Sequence, residues 1–166
     1  MRNRTFGDRS LFSAGLRQAA QSVTVRSQSY KGEETSLTVH KIVTENTGFT
    51  NITTQVEAEI QKSGRTEGCF LVCSLDSMAG IIVTSEAEEA VREDILCDVK
   101  HMIPPRLDYP SLDCPDGAAA KSRAAVVGET LNLIMHDGKL LLDRGQAVYV
   151  VDFMGKRELA YAITVC

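Results

Sequence analysis

The stretch Gly68–Ser85 constrains this chain more than any other. It holds two short apolar runs, Cys69–Leu75 and Gly80–Thr84, rich in β-branched residues and broken by Asp76-Ser77-Met78. Runs of that length bounded by turn formers read as buried strands rather than helices. A polar break between buried strands puts its side chains at one end of a core, where solvent and ligands reach them. Here the break supplies one carboxylate, one hydroxyl and a thioether. Any chemical site in this chain has its floor there.

The flanking segments follow from periodicity. Ser36–Thr44 alternates as a strand, and Asn46-Thr-Gly48 is a turn signal. Thr54–Glu57 has the spacing of a capping box, with Val56 and Ile60 on one helical stripe and Ser63-Gly64 at the end. Ser85–Glu88 is a second such box. After it, Ala87, Val91, Ile95, Val99 and Met102 recur at helical spacing until Pro104-Pro105. Ala118–Val127 reads as a short helix before Gly128. Thr130–Met135 and Lys139–Leu142 flank Asp137-Gly138 as a hairpin, and Gln146–Phe153 and Leu159–Val165 flank Met154-Gly155-Lys156 as a second. The order predicts an α+β domain with mainly antiparallel pairing.

With 166 residues the chain is most simply one domain, placed at 32–166, preceded by a basic arm at 1–31. The arm carries Arg2, Arg4, Arg9, Arg17, Arg26 and Lys31 against Asp8 alone. Leu11, Phe12, Leu16, Ala19, Ala20 and Val23 fall at helical spacing behind Ser10. Such a segment is either an organelle transit peptide or a helix packing on the domain or a neighbouring subunit. The location expected is cytoplasmic, or the mitochondrial matrix if the arm is a transit peptide. A net charge of −4 argues against nucleic acid and anionic membrane as partners. No apolar run is long enough to span a bilayer, so a soluble protein is expected. The five cysteines lack any CxxC spacing; Cys69 and Cys73 are about 13 Å apart along a strand and cannot bond, so reduced thiols are expected. His40, His101 and His136 form no ligand motif, and no Gly-rich nucleotide loop occurs, so no cofactor is expected.

Several strings, in this order, resemble the YjbQ-like family, also called uncharacterised protein family 0047. They are Asn51–Val56, Ser63-Gly64, Gly68, Ala79-Gly80, Val91-Arg92 with Asp94, Pro104, Tyr109, Gly128, Asp137–Leu140, Gln146 and Gly155–Arg157. The resemblance covers the chain from about Ser36 onward. It implies a β-sandwich of about seven mainly antiparallel strands, two main helices and one short one. It also implies a homotrimer or an assembly of trimers, and a weak secondary thiamine-phosphate synthase activity. The family's metal-type site is made by histidines in a His-Thr-Thr-Ala, a Tyr-x-His and an Ala-His segment.

This chain departs at each histidine. Aligned without gaps on Arg92 and Asp94, Asp76 stands at the first, followed by Ser77 and Met78; a one-residue slide puts Ser77 there. Tyr109-Pro-Ser111 replaces the second segment, and Lys121, counted back from Gly128, replaces the third histidine. The family's Glu-Asn pair reads Ser85-Glu86, and its Gly-Thr-Trp-Gln string keeps only Gln146. The expected vestigial pocket is therefore Asp76, Ser77, Glu86, Ser111, Lys121 and Gln146, with no metal and no assigned catalytic residue. A carboxylate, a neutral hydroxyl and an ammonium are a poor transition-metal set. Lys121 would take the place of the metal's charge and pair with Asp76 or Glu86, either as a pocket-filling salt bridge or as an anion-binding acid–base pair. The function expected is a non-catalytic oligomeric subunit. The alternatives are a metal-independent enzyme or binding protein for a phosphorylated small molecule, and an inactive partner of a histidine-containing paralogous subunit.

Overall fold

The computed structural model describes residues 37–111 and 114–165. In chain order these form β1 (Leu37–Thr44), β2 (Gly48–Asn51), α1 (Thr53–Ser63), β3 (Gly68–Ser74), β4 (Ala79–Ser85) and α2 (Glu89–Met102). There follow α3 (Pro115–Val127), β5 (Thr130–His136), β6 (Lys139–Leu140), β7 (Gln146–Asp152) and β8 (Arg157–Val165). The helix expected within 1–31 lies outside the described residues.

Two antiparallel sheets face each other, one ordered β1-β8-β3-β5-β6 and the other β2-β7-β4. Strict alternation aims Phe70, Val72, Leu133, Met135, Leu159, Tyr161 and Ile163 of the larger sheet inward, against Ala79, Ile81, Val148 and Val150 of the smaller. Helix α1 adds Val56 and Ile60 to the same core, with Ile52 ahead of it. The opposite face of the smaller sheet is covered by α2 and α3, through Leu96, Val99, Ala120 and Ala124 against Val151 and Phe153. Strand β7 is buried on both faces from Ala147 onward, which is why its sequence is continuously apolar rather than alternating.

Local chemistry starts the helices differently from the capping boxes read in the sequence. Thr54 lies inside α1, whose first amide, Thr53 N, bonds instead to Asn51 Oδ1 at 2.9 Å. Ser85 ends β4, and α2 starts at Glu89 without a side-chain cap. Helix α3 starts three residues earlier than its apolar pattern, because Pro115 is preset at the first helical position and Cys114 Sγ accepts from Gly117 N. Four buried alanines let α3 lie close to the sheet. Its end sits on Gly80, where a Cβ would come 2.7 Å from Val127 Cγ1, and Ile81 N bonds to Gly128 O at 2.9 Å.

The Asp137-Gly138 hairpin forms as read, with φ of 51° and 69° at the two turn residues, the signature of a type I′ turn. The second expected hairpin does not. Strand β7 pairs with β2 and β4, whereas β8 pairs with β1 and β3, so Met154–Lys156 carries the chain from one sheet to the other. The Asp76 break does the same between β3 and β4. Strand β2, within what read as a turn region, is the partner that β7 needs on its second edge.

Gly155 seals the later crossing. Its φ is +77°, and a Cβ there would stand 2.7 Å from the backbone of Asn46 and Thr47. Both neighbours are main chain and cannot yield cheaply. Gly155→Ala is expected to cost at least about 1–3 kcal/mol in urea unfolding, whereas an alanine at the open Gly48 turn should cost less.

Candidate functional site

Both crossings meet at one end of the sandwich, where Ala79 pairs with Asp152 and Phe153 N donates to Met78 O at 3.1 Å. Asp76 folds its own loop, its Oδ1 accepting from Met78 N at 2.8 Å. Its other oxygen accepts from Arg157 Nη1. The same guanidinium donates to Asp152 Oδ1 through Nε at 3.2 Å and Nη2 at 2.9 Å. Asp152 is only 1% exposed and is saturated: Thr44 Oγ1 at 2.5 Å, Met154 N at 3.0 Å and Gly155 N at 3.0 Å complete its partners. Two carboxylates thus share one guanidinium. Burial pushes the Asp76 carboxyl up, but the bonds from Arg157 and Met78 outweigh it and hold it below the usual carboxylate range.

The hydrogen-bonded cation at Asp76 is therefore Arg157 of β8, which corrects the expectation that Lys121 stands there. The reason is topological: the β7–β8 crossing delivers Arg157 to the Asp76 loop, while Lys121 lies on the exposed face of α3. Ser77 is exposed beside Asp76, and Ser111 is exposed in the loop that follows α2.

Glu86 and Gln146 lie elsewhere. The β4–β7 ladder runs from Ala79 opposite Asp152 to Ser85 opposite Gln146, so Asp76 and Gln146 are separated by about 20 Å of strand. At that far end Glu86 accepts from Asn51 Nδ2 at 3.1 Å, and Gln146 Oε1 accepts from Asp143 N at 2.9 Å. Arg92 donates to the carbonyls of Ser85 and Glu86 at 2.9 and 3.0 Å, its guanidinium 5.3 Å above the Tyr149 ring. Burial raises the Tyr149 phenol pKa despite the Arg92 charge. Of the six expected residues, Asp76 lies at one end of the smaller sheet and Glu86 and Gln146 at the other, while Ser77, Ser111 and Lys121 are exposed. None of them lines the cavity of about 430 Å³ between α1 and the β5–β6 turn, nor that of about 220 Å³ beneath α2.

The donor set at the three aligned positions does not fit a tightly held transition metal. Asp76 is already bonded to Arg157, Ser111 offers a neutral hydroxyl, and Lys121 offers an ammonium. Among the described residues, one exposed group brings three metal-type side chains together: Glu67, His136 and Asp137. His136 Nδ1 lies 2.8 Å from Glu67 Oε1, and the Glu67 bond raises the imidazole pKa, which favours a protonated ring that cannot ligate.

Two participants escaped the sequence reading. Asp152 was a lone carboxylate inside an apolar run, a signal that a buried charge needs a partner. Arg157 stands in the Gly155–Arg157 string of the resemblance, with no site role read from it.

The architecture defines a class: an α+β sandwich with one helix completing the inter-sheet core and two on the outer face of the smaller sheet. Residues 36–166 match the family described as UPF0047 protein YjbQ-like, and the chain belongs to that family. It is 29% identical over 107 residues to the UPF0047 protein YugU of Bacillus subtilis, spanning 64% of this chain and 80% of that protein. It is 27% identical over 115 residues to the UPF0047 protein MJ1081 of Methanocaldococcus jannaschii, spanning 69% of this chain and 82% of that one. An uncharacterised conserved protein of the YjbQ/UPF0047 family from Clostridium acetobutylicum superposes with a TM-score of 0.73 at 26% identity, over 77% of this chain and 98% of that chain.

Asp152→Ala strands Arg157 and removes the acceptor of two turn amides. It should destabilise the domain by about 3–5 kcal/mol in denaturant unfolding. The pH dependence has a defined sign. A depressed Asp76 pKa stabilises the fold above the unfolded carboxyl value of about 3.9, and that stabilisation is lost as pH falls through the folded value. Acid titration of Asp76→Asn followed by circular dichroism should therefore show a shallower loss of stability below about pH 4 than the parent.

Proposed function

We propose that this chain is a non-catalytic, oligomeric YjbQ-like subunit whose metal-type centre has been replaced by a structural ion pair. The observation that carries this is the Arg157 guanidinium shared by Asp76 and Asp152, at the position where the resemblance expects the first histidine. A charge pair with its bonds made is a tie between two sheet crossings. Each Asp76 carboxylate oxygen already accepts one such bond, Oδ1 from Met78 N and Oδ2 from Arg157. The separation of Glu86 and Gln146 from Asp76 supports the same reading, because groups about 20 Å apart cannot act on one small substrate. Trimeric assembly, implied by the resemblance, belongs to this proposal.

Purified protein should retain well under one equivalent of zinc by elemental analysis after dialysis. Its melting temperature should not move with zinc, inorganic phosphate or thiamine phosphate. Light scattering should report a trimer. A ligand at about 100 times its dissociation constant stabilises by about 2.7 kcal/mol, well within detection. Stoichiometric zinc lost in Asp76→Asn, or saturable stabilisation by thiamine phosphate, would overturn the proposal in favour of a working site, and a monomer would overturn its oligomeric part.

A further inference from the structure

Helices α2 and α3 lie on the same outer face of the smaller sheet but rest on it differently. Helix α3 is drawn in by its buried alanines and by the close approach of its end to Gly80. Helix α2 buries no residue completely, although Ile95, Leu96 and Val99 form an apolar stripe toward the sheet. Those three stay half-buried. Polar ties hold α2 at both ends. Near its start Arg92 donates to the carbonyls of Ser85, Glu86 and Glu88 at 2.9, 3.0 and 3.4 Å. Near its end Lys100 Nζ donates to Thr47 Oγ1 at 3.0 Å, and Ile103 O accepts from Arg123 Nε at 2.9 Å. A helix fixed at both ends by bonds of set length does not settle further, and its middle spans a gap.

That gap is the cavity of about 220 Å³ beneath α2. Its roof is the α2 stripe, and its floor is Phe49 of β2, Ile82 of β4 and Val151 of β7. All eight lining side chains are hydrocarbon, so none offers a hydrogen bond. Close-packed interiors keep few voids larger than a water molecule. A retained water needs about two to four polar partners, which these side chains do not supply. A cavity of about 150 Å³ with the same kind of lining takes up benzene or xenon. The space under α2 is larger, and its half-buried roof leaves a path from solvent.

We infer that this cavity is a binding site for a small uncharged hydrocarbon, a single aromatic ring carrying at most a short alkyl group. The volume admits such a ring, and Phe49 and Phe153 in the lining offer it aromatic neighbours. A charged or hydrogen-bonding group would give up water there and gain no partner. Neither Asp76 nor the cluster around Glu86 lines the cavity, so this site lies beyond the structural ion pair and adds to it.

Toluene is the probe. Full-length protein is titrated with it while side-chain methyl resonances are followed by NMR. The methyls of Ile82, Ile95, Val99 and Val151 should move saturably, and those of Val72 and Ile163 in the inter-sheet core should stay fixed. Benzoate, the same ring with a charge, should bind at least about tenfold more weakly. Full-length Val99→Phe, which fills the roof, should lose at least about tenfold in toluene affinity while its melting temperature holds or rises. Equal binding of benzoate would overturn the assigned ligand class. Small shifts spread over all methyls and linear in toluene would mean surface partitioning only. Cavity methyls that respond to protein concentration but not to toluene would mean that a second copy fills the space. Either of these results overturns the proposal, and neither bears on the ion-pair reading of Asp76.

Discussion

The fold depends on one guanidinium. Arg157 sits where two sheet-to-sheet crossings converge, holding Asp152 of the later crossing and Asp76 of the earlier. A sandwich whose chain changes sheet twice at one end must satisfy the amides of both bends within a small volume. Asp152 does this for Met154 and Gly155, Asp76 does it for Met78, and Arg157 neutralises both acceptors. Buried ion pairs seldom stabilise more than apolar replacements of the same shape, but removing one member leaves an uncompensated charge. The triad is thus better understood as fixing the path of the chain than as adding net stability.

That arrangement sets the electrostatics of the acidic break. Carboxylates at the end of a core become reactive when burial or a like charge raises their pKa and leaves a proton to move. Here the surrounding charge acts in the opposite direction, and the Asp76 oxygens are spent on a guanidinium and an amide. The polar cluster around Glu86, Arg92 and Tyr149 is likewise self-contained, its guanidinium directed at main-chain carbonyls. Polar groups in this domain are used to end strands and join layers.

Much of the fold was legible. The alternation of Leu37–Thr44, the Asp137-Gly138 turn and the i, i+4 stripe of Val91, Ile95 and Val99 each carry a local signal, and each element forms. The candidate site was legible only in part. Asp76 stands out as a charge between buried runs, but its partner is 81 residues away in sequence, a separation that periodicity cannot bridge. Glu86 and Gln146 lie near each other, through the Ser85–Gln146 step of the ladder. Their distance from Asp76 follows from the full length of β4, which no motif encodes.

The sequence by itself determined the helices, the polar breaks and every longer strand, though not the short β2, because these follow from the period of apolar residues and from turn chemistry. Only the tertiary structure decided which strands share a sheet. Met154-Gly155-Lys156 has the composition of a hairpin, yet β7 must bury both faces, one against the inter-sheet core and one against α2 and α3. That places it in the smaller sheet and sends β8 into the larger one. The physical reason is that strand pairing is settled by where apolar surface leaves water over the whole domain, a quantity no local segment contains.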